Sequence, residues 1–321
     1  TDINDPFVTD IKEGLSPKLP NGEQLPTRWI QYKVPLSNFT NAVGGIADFR
    51  SMSFIRMYLT KFSDPVLLRF ASLDLVRGDW RVYQGALQTD ALNTPLEIGT
   101  QLEVNTVNVE ENSTRVPIAY VLPPGVLREQ LNNNNTIIRQ NEQSLSLVVK
   151  QLAPQDARGV FKNTQFDLRQ YKRLKMFMHA EQIVETDFSI AEQPMVGFLR
   201  MGTDFSENFY QIELPLNFTP HGANSPEEVW PSANELDIPV AVLAQIKSLG
   251  IANQSLNQLT YYDYVGGSLT AVDALAPRTA GVMRIGIKGN PSLGNLRGIM
   301  VGVKNVSNKA QRAEVWFNEL R

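Results

Sequence analysis

The sequence contains no cysteine. This absence excludes disulfide bonds, catalytic thiols and cysteine-based metal sites. It also excludes a small scaffold stabilised by several disulfides, but it leaves the compartment open, since many extracytoplasmic proteins have no disulfide. The chain is therefore expected to depend on burial of apolar surface, and its 321 residues can bury a large core.

Histidine is also scarce, with only His179 and His221 in the whole chain. His179 is predicted on the polar face of a strand, and His221 in a loop. Neither belongs to an HExxH or HxH motif, which argues against a catalytic zinc site. A GxSxG nucleophile motif and a phosphate-binding glycine loop are missing as well, and the pair Gly266-Gly267 is interpreted as a turn.

Concentrated charge and long apolar runs are missing too. The formal net charge is −3 and the pI is about 5.6, whereas nucleic-acid binding would need a concentrated basic face. No apolar run reaches the roughly 18 residues of a membrane-spanning helix. The chain begins with polar and acidic residues instead of a methionine or a signal peptide. We expect it to be a fragment of a larger extracytoplasmic protein.

Paired carboxylates are the remaining candidates for catalysis, because glycosidases need only two of them. Glu227 and Glu228 precede Trp230, and Glu235 and Asp237 follow it. Adjacent acids after Ser-Pro more often begin a helix or lie on a solvated loop. The acids also lack the DxDxDG spacing of a calcium loop. We therefore predict no enzyme and no cofactor, and we assign no metal ligand.

Short alternating segments dominate the chain, separated by 19 prolines and 21 glycines. Their period of two is typical of half-buried strands. Strands are predicted at residues 29–36, 55–60, 66–70, 102–109, 144–150, 173–179, 198–204, 209–216, 283–287, 299–303 and 315–321. A phase shift at Val107 predicts a bulge in the fourth of them. One short helix is predicted, from Val240 to a stop at Gly250. The run Asn132 to Asn135 is interpreted as an exposed loop.

An internal repeat indicates how the strands are organised. Residues 32–36 and 212–216 both end in Pro-Leu, and each copy later closes with a long apolar strand. The predicted fold class is all-β, with antiparallel jelly-roll-like β-sandwich modules, one partial and one complete. The predicted domains are an extended N-terminal segment (1–27), the partial module (28–83), a connector with one strand and Pro- and Asn-rich loops (84–140), and the complete sandwich (141–321).

Aromatic side chains provide the candidate ligand or partner contacts. These candidates are Trp230, Tyr261, Tyr262 and Tyr264. They could form a stacking platform for a sugar, because jelly-roll domains often bind carbohydrate. The alternative interpretation is that the tyrosines pack in a loop, while Trp29, Trp80 and Trp316 lie in the core or between sheets. Packing is favoured, because large aromatic side chains mostly bury their area.

Seven longer strings are more specific than any of these motifs, and they occur in order over nearly the whole chain. They are residues 53–60 (SFIRMYLT), 73–81 (LDLVRGDWR), 120–129 (YVLPPGVLRE), 141–147 (NEQSLSL), 167–181 (DLRQYKRLKMFMHAE), 208–216 (NFYQIELPL) and 315–321 (VWFNELR). In these strings the chain resembles the SprA/Sov family. Members of that family are the very large outer-membrane translocon proteins of the Bacteroidetes type IX secretion system, which also supports gliding motility in some members.

The resemblance implies a part in a secretion machine. Family members form a large β-barrel that passes folded cargo across the outer membrane, and they have no catalytic residues to carry over. This chain lacks the long series of amphipathic strands of a barrel wall. We therefore expect a non-membrane-spanning sandwich region that shapes or caps the pore and contacts other translocon subunits or cargo. The cell-surface cap is the favoured location and the periplasmic face the second. The alternative function is a carbohydrate-binding jelly-roll module at the cell surface.

Overall fold

The computed structural model describes residues 7–34, 36, 41, 43, 55–73, 80–85, 87, 99–128, 130–133, 136–139, 141–184 and 194–321. The chain divides into two units, Thr1–Asp74 and Leu75–Arg321, which we describe separately.

In unit Thr1–Asp74, strands β1 (Val8–Leu15) and β2 (Pro26–Tyr32) form an antiparallel hairpin. β2 confirms the first part of the strand predicted at residues 29–36, whereas β1 lies within residues 1–27, which were predicted only as an extended segment. Trp29 was a predicted core residue, but its side chain is 47% exposed. A two-stranded hairpin has no second layer against which to bury a ring, so this prediction is wrong.

Residues 55–73 of the same unit have no regular secondary structure. Ile55, Met57 and Leu59, which alternate as in a half-buried strand, are all exposed. A strand needs a neighbouring ladder for its backbone N–H and C=O groups, and none of the described residues of this unit pairs with this segment. The strands predicted at 55–60 and 66–70 are therefore wrong. The end of the first repeat copy, residues 74–77, lies outside the described residues.

Unit Leu75–Arg321 is a two-layer β-sandwich. Its strands are β3 (Arg81–Val82), β4 (Gln101–Asn108), β5 (Gln130–Asn133), β6 (Thr136–Arg139), β7 (Gln143–Leu152), β8 (Ala157–Phe166), β9 (Arg173–Gln182), β10 (Met195–Gly202), β11 (Phe209–Pro215), β12 (Glu235–Pro239), β13 (Thr260–Val265), β14 (Ser268–Val272), β15 (Met283–Lys288), β16 (Leu296–Asn305) and β17 (Gln311–Phe317). The α-helices in the described residues are α1 (Pro226–Val229) and α2 (Val240–Ala252), and neither has both the length and the apolar character needed to cross a membrane.

The strands of the described residues form a large sheet, in the order β14-β13-β15-β11-β10-β16-β8-β3, and a small sheet, in the order β12-β9-β17-β7-β4. Neighbouring strands are antiparallel, and the chain crosses repeatedly between the two sheets. The predicted fold class, an antiparallel β-sandwich, is confirmed. Strands β5 and β6 form a separate hairpin. Asn132 and Asn133 therefore lie in a strand, contrary to the predicted loop, and residues 134–135 lie outside the described residues.

The core lies between the two sheets and is built from alternate positions of each strand. In the large sheet, Leu199 of β10 is opposite Ile212 of β11 on one side and Val301 of β16 on the other. In the small sheet, Val315 of β17 lies between Leu147 of β7 and Ala180 of β9. All of these side chains are buried. The period-two pattern therefore predicts the inward face correctly.

The bulge predicted in strand β4 is wrong. It pairs with β7 without interruption from Gln101, opposite Lys150, to Asn108, opposite Gln143. Leu102 and Val104 pack against the inter-sheet core, whereas Val107 belongs to a second apolar cluster on the other face of the sheet. The shift in apolar phase thus marks a change in which face is covered, and no extra residue is inserted.

Two glycine positions refine the predicted turns and helix. Gly266 and Gly267 connect β13 to β14 with φ values of 56° and 88°, which confirms the predicted turn. Helix α2 begins after Pro239 as predicted but continues two residues beyond Gly250. A Cβ at position 250 would overlap the side chain of Leu256, so this glycine serves close packing and does not end the helix.

Gly302, in the middle of β16, gives a prediction about packing on the outer face of the large sheet. A Cβ there would overlap the carbonyl oxygen of Arg158 and the ring of Phe198. We expect Gly302→Ala to destabilise the protein by about 1–3 kcal/mol, because both neighbours are held by the sheet. Urea unfolding followed by far-UV circular dichroism measures this loss. Gly99→Ala is the control, since a Cβ there makes only an ordinary contact at 3.5 Å from Gln151. Equal unfolding midpoints for the two variants would contradict the expectation.

Candidate interaction site

The outer face of the small sheet is covered by two connecting segments, residues 109–128 and 217–234, which we call the cap; the second contains the short helix α1. The backbone N–H of Gly222 donates to the carbonyl of Pro117, which joins the two segments at 3.2 Å. Beneath them lie side chains from alternate positions of the central strands, which point away from the inter-sheet core. These side chains are Ser146 of β7, His179 and Glu181 of β9, and Glu314 and Trp316 of β17.

Trp316 is the centre of an aromatic cluster between sheet and cap. Its ring centroid lies 5.6 Å from that of Tyr120 and 5.9 Å from that of Trp230, both of which belong to the cap. The His179 ring lies 4.0 Å from it on the sheet side. Trp316 is fully buried, which confirms that it is a core residue, although its core is the one beneath the cap. Trp80 is half-buried against the inter-sheet core.

Arg115 of the cap connects two carboxylates of the sheet. Its guanidinium donates to Glu181 at 2.5 and 3.1 Å and to Glu314 at 2.6 Å. Burial by itself would raise the pKa of Glu181, but the hydrogen bond from His179 and the charge of Arg115 outweigh it and lower that pKa. Burial opposes the charge of Arg115 as well, yet the two carboxylates raise its pKa above the usual value. The result is a buried ionic link between cap and sheet.

His179 lies on the outward face of β9, as predicted for the polar face of a strand, but it is fully buried there. Its Nδ1 lies 2.7 Å from the Val229 carbonyl oxygen and its Nε2 lies 3.2 Å from Glu181 Oε2. The cap covers this face of β9. The alternating sequence of β9 does not show that this face is covered. His221 lies in a turn as predicted, with Nε2 2.8 Å from the Gln182 carbonyl oxygen.

A second set of polar side chains connects Tyr120 of the cap to Asn318, which follows β17. The Tyr120 hydroxyl donates to Glu142 at 2.6 Å, and the Asn318 amide donates to the other oxygen of Glu142 at 2.7 Å and to Ser144 at 3.0 Å. Burial and the neighbouring carboxylate of Glu142 raise the pKa of Tyr120. Tyr120 therefore stays neutral and acts as a donor at any physiological pH.

A cleft of about 490 Å³ opens beside the cap. Its apolar wall includes Pro124, Phe177 and Trp230, and its rim includes Lys175, Glu227 and Ser232. Lys175 is engaged by Glu235 at 3.4 Å and by Asp237 at 3.0 Å. Glu227 and Glu228 lie in helix α1, where Ser225 and Glu228 form a capping box, as the interpretation of these acids as a helix start predicts. The cleft combines an apolar wall with exposed charge, which suits contact with another molecule.

The structure does not bring the four predicted contact residues together. Trp230 belongs to the cap on the small sheet and lines the cleft, whereas the three tyrosines lie on β13 of the large sheet. Tyr262 and Tyr264 face the inter-sheet core. Tyr261 lies on the outer face of the large sheet, where it is buried and donates from its hydroxyl to Glu213 at 3.0 Å. Their role as ligand or partner contacts stays a prediction.

Tyr261 belongs to a buried polar group that sequence reasoning missed, which we call the arginine cluster. Its members on the outer face of the large sheet are Arg200, Gln211, Glu213, Tyr261, Asp263 and Arg284, together with Arg278 from the loop 273–282. Arg200 donates to Gln211 at 2.6 Å, and Arg284 donates to Asp263 at 2.7 Å. The polar members of β10, β11 and β15 look like solvated positions in the sequence. Across the described residues, no three His, Asp or Glu side chains are grouped so that they could hold a metal ion.

Comparison with known protein families gives a match over nearly the whole chain. The model of a family described as "Motility related/secretion protein" matches residues 3–321. The chain belongs to this family. This match confirms the resemblance to SprA/Sov proteins, and it indicates a role in motility or secretion.

No curated protein matches the sequence of this chain. Among solved structures, the chain is similar to the Family 11 carbohydrate-binding module from Clostridium thermocellum in complex with beta-1,3-1,4-mixed-linked tetrasaccharide. The identity is 9% and the TM-score 0.32, with coverage of 75% of this chain and 86% of that chain. Nothing about ligand binding follows from a likeness of this degree.

Four of the seven strings that carry the resemblance to the motility/secretion family supply residues to the cap or to the sheet face beneath it. Tyr120 comes from the string at 120–129, and Glu142 from the string at 141–147. His179 and Glu181 come from the string at 167–181, and Trp316 from the string at 315–321. Segments that are separate in sequence thus supply one connected cluster of rings and charges.

Proposed function

We propose that this chain is a non-catalytic structural and interaction region of a type IX secretion translocon in the outer membrane of Bacteroidetes. The observation that carries the proposal is the match of the motility/secretion family over residues 3–321. The parent protein would lie in the outer membrane, and this region would shape or cap its pore. The cell-surface side is the proposed location, with the periplasmic face as the second choice.

The charged and aromatic side chains that connect the cap to the small sheet, which we call the capped cluster, support a structural role. Arg115, His179, Glu181 and Glu314 satisfy one another through hydrogen bonds and ion pairs. A catalytic group must reach a substrate, whereas His179 and Glu181 are buried, Arg115 and Glu314 are only partly exposed, and all four are directed at each other. Their arrangement fixes the cap to the sheet, and a rigid cap is what a contact surface for other translocon subunits or cargo proteins requires.

The cleft beside the cap is the proposed contact surface for such a partner. Phe177 is half-buried at the cleft, and the side chains of Glu227 and Ser232 are exposed on its rim. An apolar wall with a polar rim is the usual composition of a protein-contact surface. The carbohydrate-binding alternative has less support, because Trp230, Tyr261 and Tyr262 are all buried and offer no open ring for stacking.

The proposal is tested in cells that carry the full-length parent protein. Deletion of residues 141–321 is expected to impair secretion or assembly, because the deletion removes most of the sandwich. Normal secretion with normal levels of the deleted protein would overturn the proposed function.

A point variant separates the contact surface from folding. Ser232→Trp places a large side chain in the cleft at an exposed position, and we expect it to lower secretion while the protein level and fold stay normal. Ser268→Trp is the matched control, since Ser268 is exposed on the edge strand β14, away from the cleft. Equal secretion by the two variants would remove the cleft from the proposal. Calorimetric titration with surface polysaccharides tests the carbohydrate-binding alternative. Binding at millimolar ligand would support that alternative.

A further inference from the structure

Strand β14 forms one end of the large sheet, and no described residue pairs with it on the side away from β13. The other three ends of the two sheets carry charge or proline, which discourage the addition of a further strand. These residues are Arg81 on β3, Glu103 on β4, and Glu235, Asp237 and Pro239 on β12. The sequence of β14, SLTAV, has no charged residue and no proline. Its edge is therefore open to another strand.

The backbone of β14 presents hydrogen-bonding groups along this edge. Val265 and Ser268 are opposite each other on either side of the two-residue turn between β13 and β14, which makes them a hydrogen-bonded pair. Such pairs alternate with non-hydrogen-bonded pairs along an antiparallel ladder. Leu269 and Ala271 therefore direct their N–H and C=O groups away from β13. An extended backbone is the partner that matches a row of alternating donors and acceptors of this kind.

A groove of about 620 Å³ lies beside the same edge, between β14 and helix α2. Its walls are Leu269 of β14 and the side chains of Ala244, Gln245, Ser248, Leu249 and Ala252 of α2. The helix residues of this groove are exposed, and none of the lining residues is charged. The strand itself is uncharged from Tyr264 to Val272. In peptide recognition by strand addition, an edge supplies backbone hydrogen bonds and a neighbouring pocket holds every second side chain. The edge of β14 and this groove together have that arrangement.

We propose that an extended segment of a partner protein adds to β14 as a further strand and places apolar side chains in the groove. The segment is uncharged where it pairs, because neither the edge nor the groove offers a charge to match one. It is apolar at every second position, since alternate side chains of a strand lie on the same face. The inference rests on the proposed function in one respect, in that a translocon subunit or a cargo protein would supply the segment.

The experiment selects binders of the purified full chain from a phage-displayed library of random peptides. We expect the enriched peptides to be uncharged and to carry apolar residues at alternate positions. Fluorescence anisotropy with labelled synthetic copies of these peptides then measures their dissociation constants. Failure to enrich peptides of this pattern would overturn the proposal. The selection requires no secretion by cells, so its failure is distinguishable from failure of the proposed function.

Two variants locate the binding. Ala271→Pro removes an N–H from the free edge, and it should weaken binding about fivefold to tenfold through the loss of one hydrogen bond. Ser248→Trp fills the groove and should abolish binding. Ser268→Trp is the matched control, because Ser268 is opposite Val265 and its side chain lies on the outer face of the large sheet. Equal affinity of Ser248→Trp and Ser268→Trp for the enriched peptides would overturn the proposal.

Far-UV circular dichroism checks that each variant is folded, and Ser248→Trp, at an exposed helix position, continues the test in case Ala271→Pro does not fold. Sedimentation equilibrium of the chain alone tests a second copy as the occupant of the same edge. We expect a monomer. A dimer that Ser248→Trp dissociates and Ser268→Trp does not would assign the edge to a second copy and would overturn the proposal.

Discussion

Replacing Arg115 with Ala should destabilise the sandwich by about 3–5 kcal/mol at neutral pH, because it removes one partner of a buried ionic group. Glu181 is 1% exposed and faces Arg115 with both carboxylate oxygens. Glu314 loses its ion pair at the same time, although it keeps the hydrogen bonds from Ser146 and Trp316, both at 2.7 Å. Two carboxylates would then remain without the guanidinium that they share. Urea unfolding followed by far-UV circular dichroism measures the loss.

The pH dependence identifies the cause of that loss. The pKa of Glu181 is lowered in the folded protein, so its contribution to stability is present above the unfolded pKa, about 4.3. The contribution is lost as the pH falls through the folded value. In Arg115→Ala the carboxylates can take up protons instead of staying charged, so the difference in free energy of unfolding between parent and variant should shrink below about pH 4.

Arg169→Ala is the matched control for Arg115→Ala. Arg169 also pairs with a carboxylate, Asp167, at 2.7 Å, but its side chain is 69% exposed. Solvent screens such a pair, so this variant should unfold close to the parent midpoint. If Arg115→Ala behaves like Arg169→Ala at neutral pH, or if its deficit stays constant down to pH 3, the buried ionic link does not stabilise the cap.

The strands of the sandwich are predictable because each has one face against the same core. Leu145 and Leu147 of β7 alternate with Ser144 and Ser146, and that period of two is enough to locate the strand and its inward face. Strands with a similar alternation, such as β9 and β11, are found for the same reason. The same pattern misleads at Ile55, Met57 and Leu59, because alternation reports a half-apolar segment and does not report whether a neighbouring strand exists.

The capped cluster is not predictable from the same pattern. Alternation shows which side chains face the inter-sheet core, but it cannot show that the opposite face is covered as well. The cover consists of connecting segments without a strand period, and its partners are distant in sequence: Arg115 and Glu314 are 199 positions apart. The sequence therefore predicts for His179 only a position on the polar face of a strand. An indirect signal is that Val107, His179 and Trp316 are large or scarce residues at outward positions of the small sheet.

Trp316→Ala should cost about 3–5 kcal/mol of unfolding free energy, because a large ring is removed from a closed cluster. The ring lies among Tyr120, Trp230 and His179, and the Arg115 guanidinium lies 5.2 Å from its centroid. The indole N–H is also the donor to Glu314 at 2.7 Å. The substitution thus weakens both the apolar and the ionic parts of the link between cap and sheet. Urea unfolding gives the loss in free energy, and limited proteolysis should show faster cleavage within residues 109–128.

Trp29→Ala is the matched control, since it deletes the same side chain at a position that is 47% exposed. An exposed substitution of this kind should shift the main unfolding transition by less than about 0.5 kcal/mol. Trp316→Phe keeps one aromatic ring in the cluster, whereas it removes the donor to Glu314 and part of the ring volume. We expect its loss to fall between those of the parent and Trp316→Ala. If Trp316→Ala unfolds at the same urea concentration as Trp29→Ala and is cleaved no faster in the cap, the ring beneath the cap is not what holds these segments to β17.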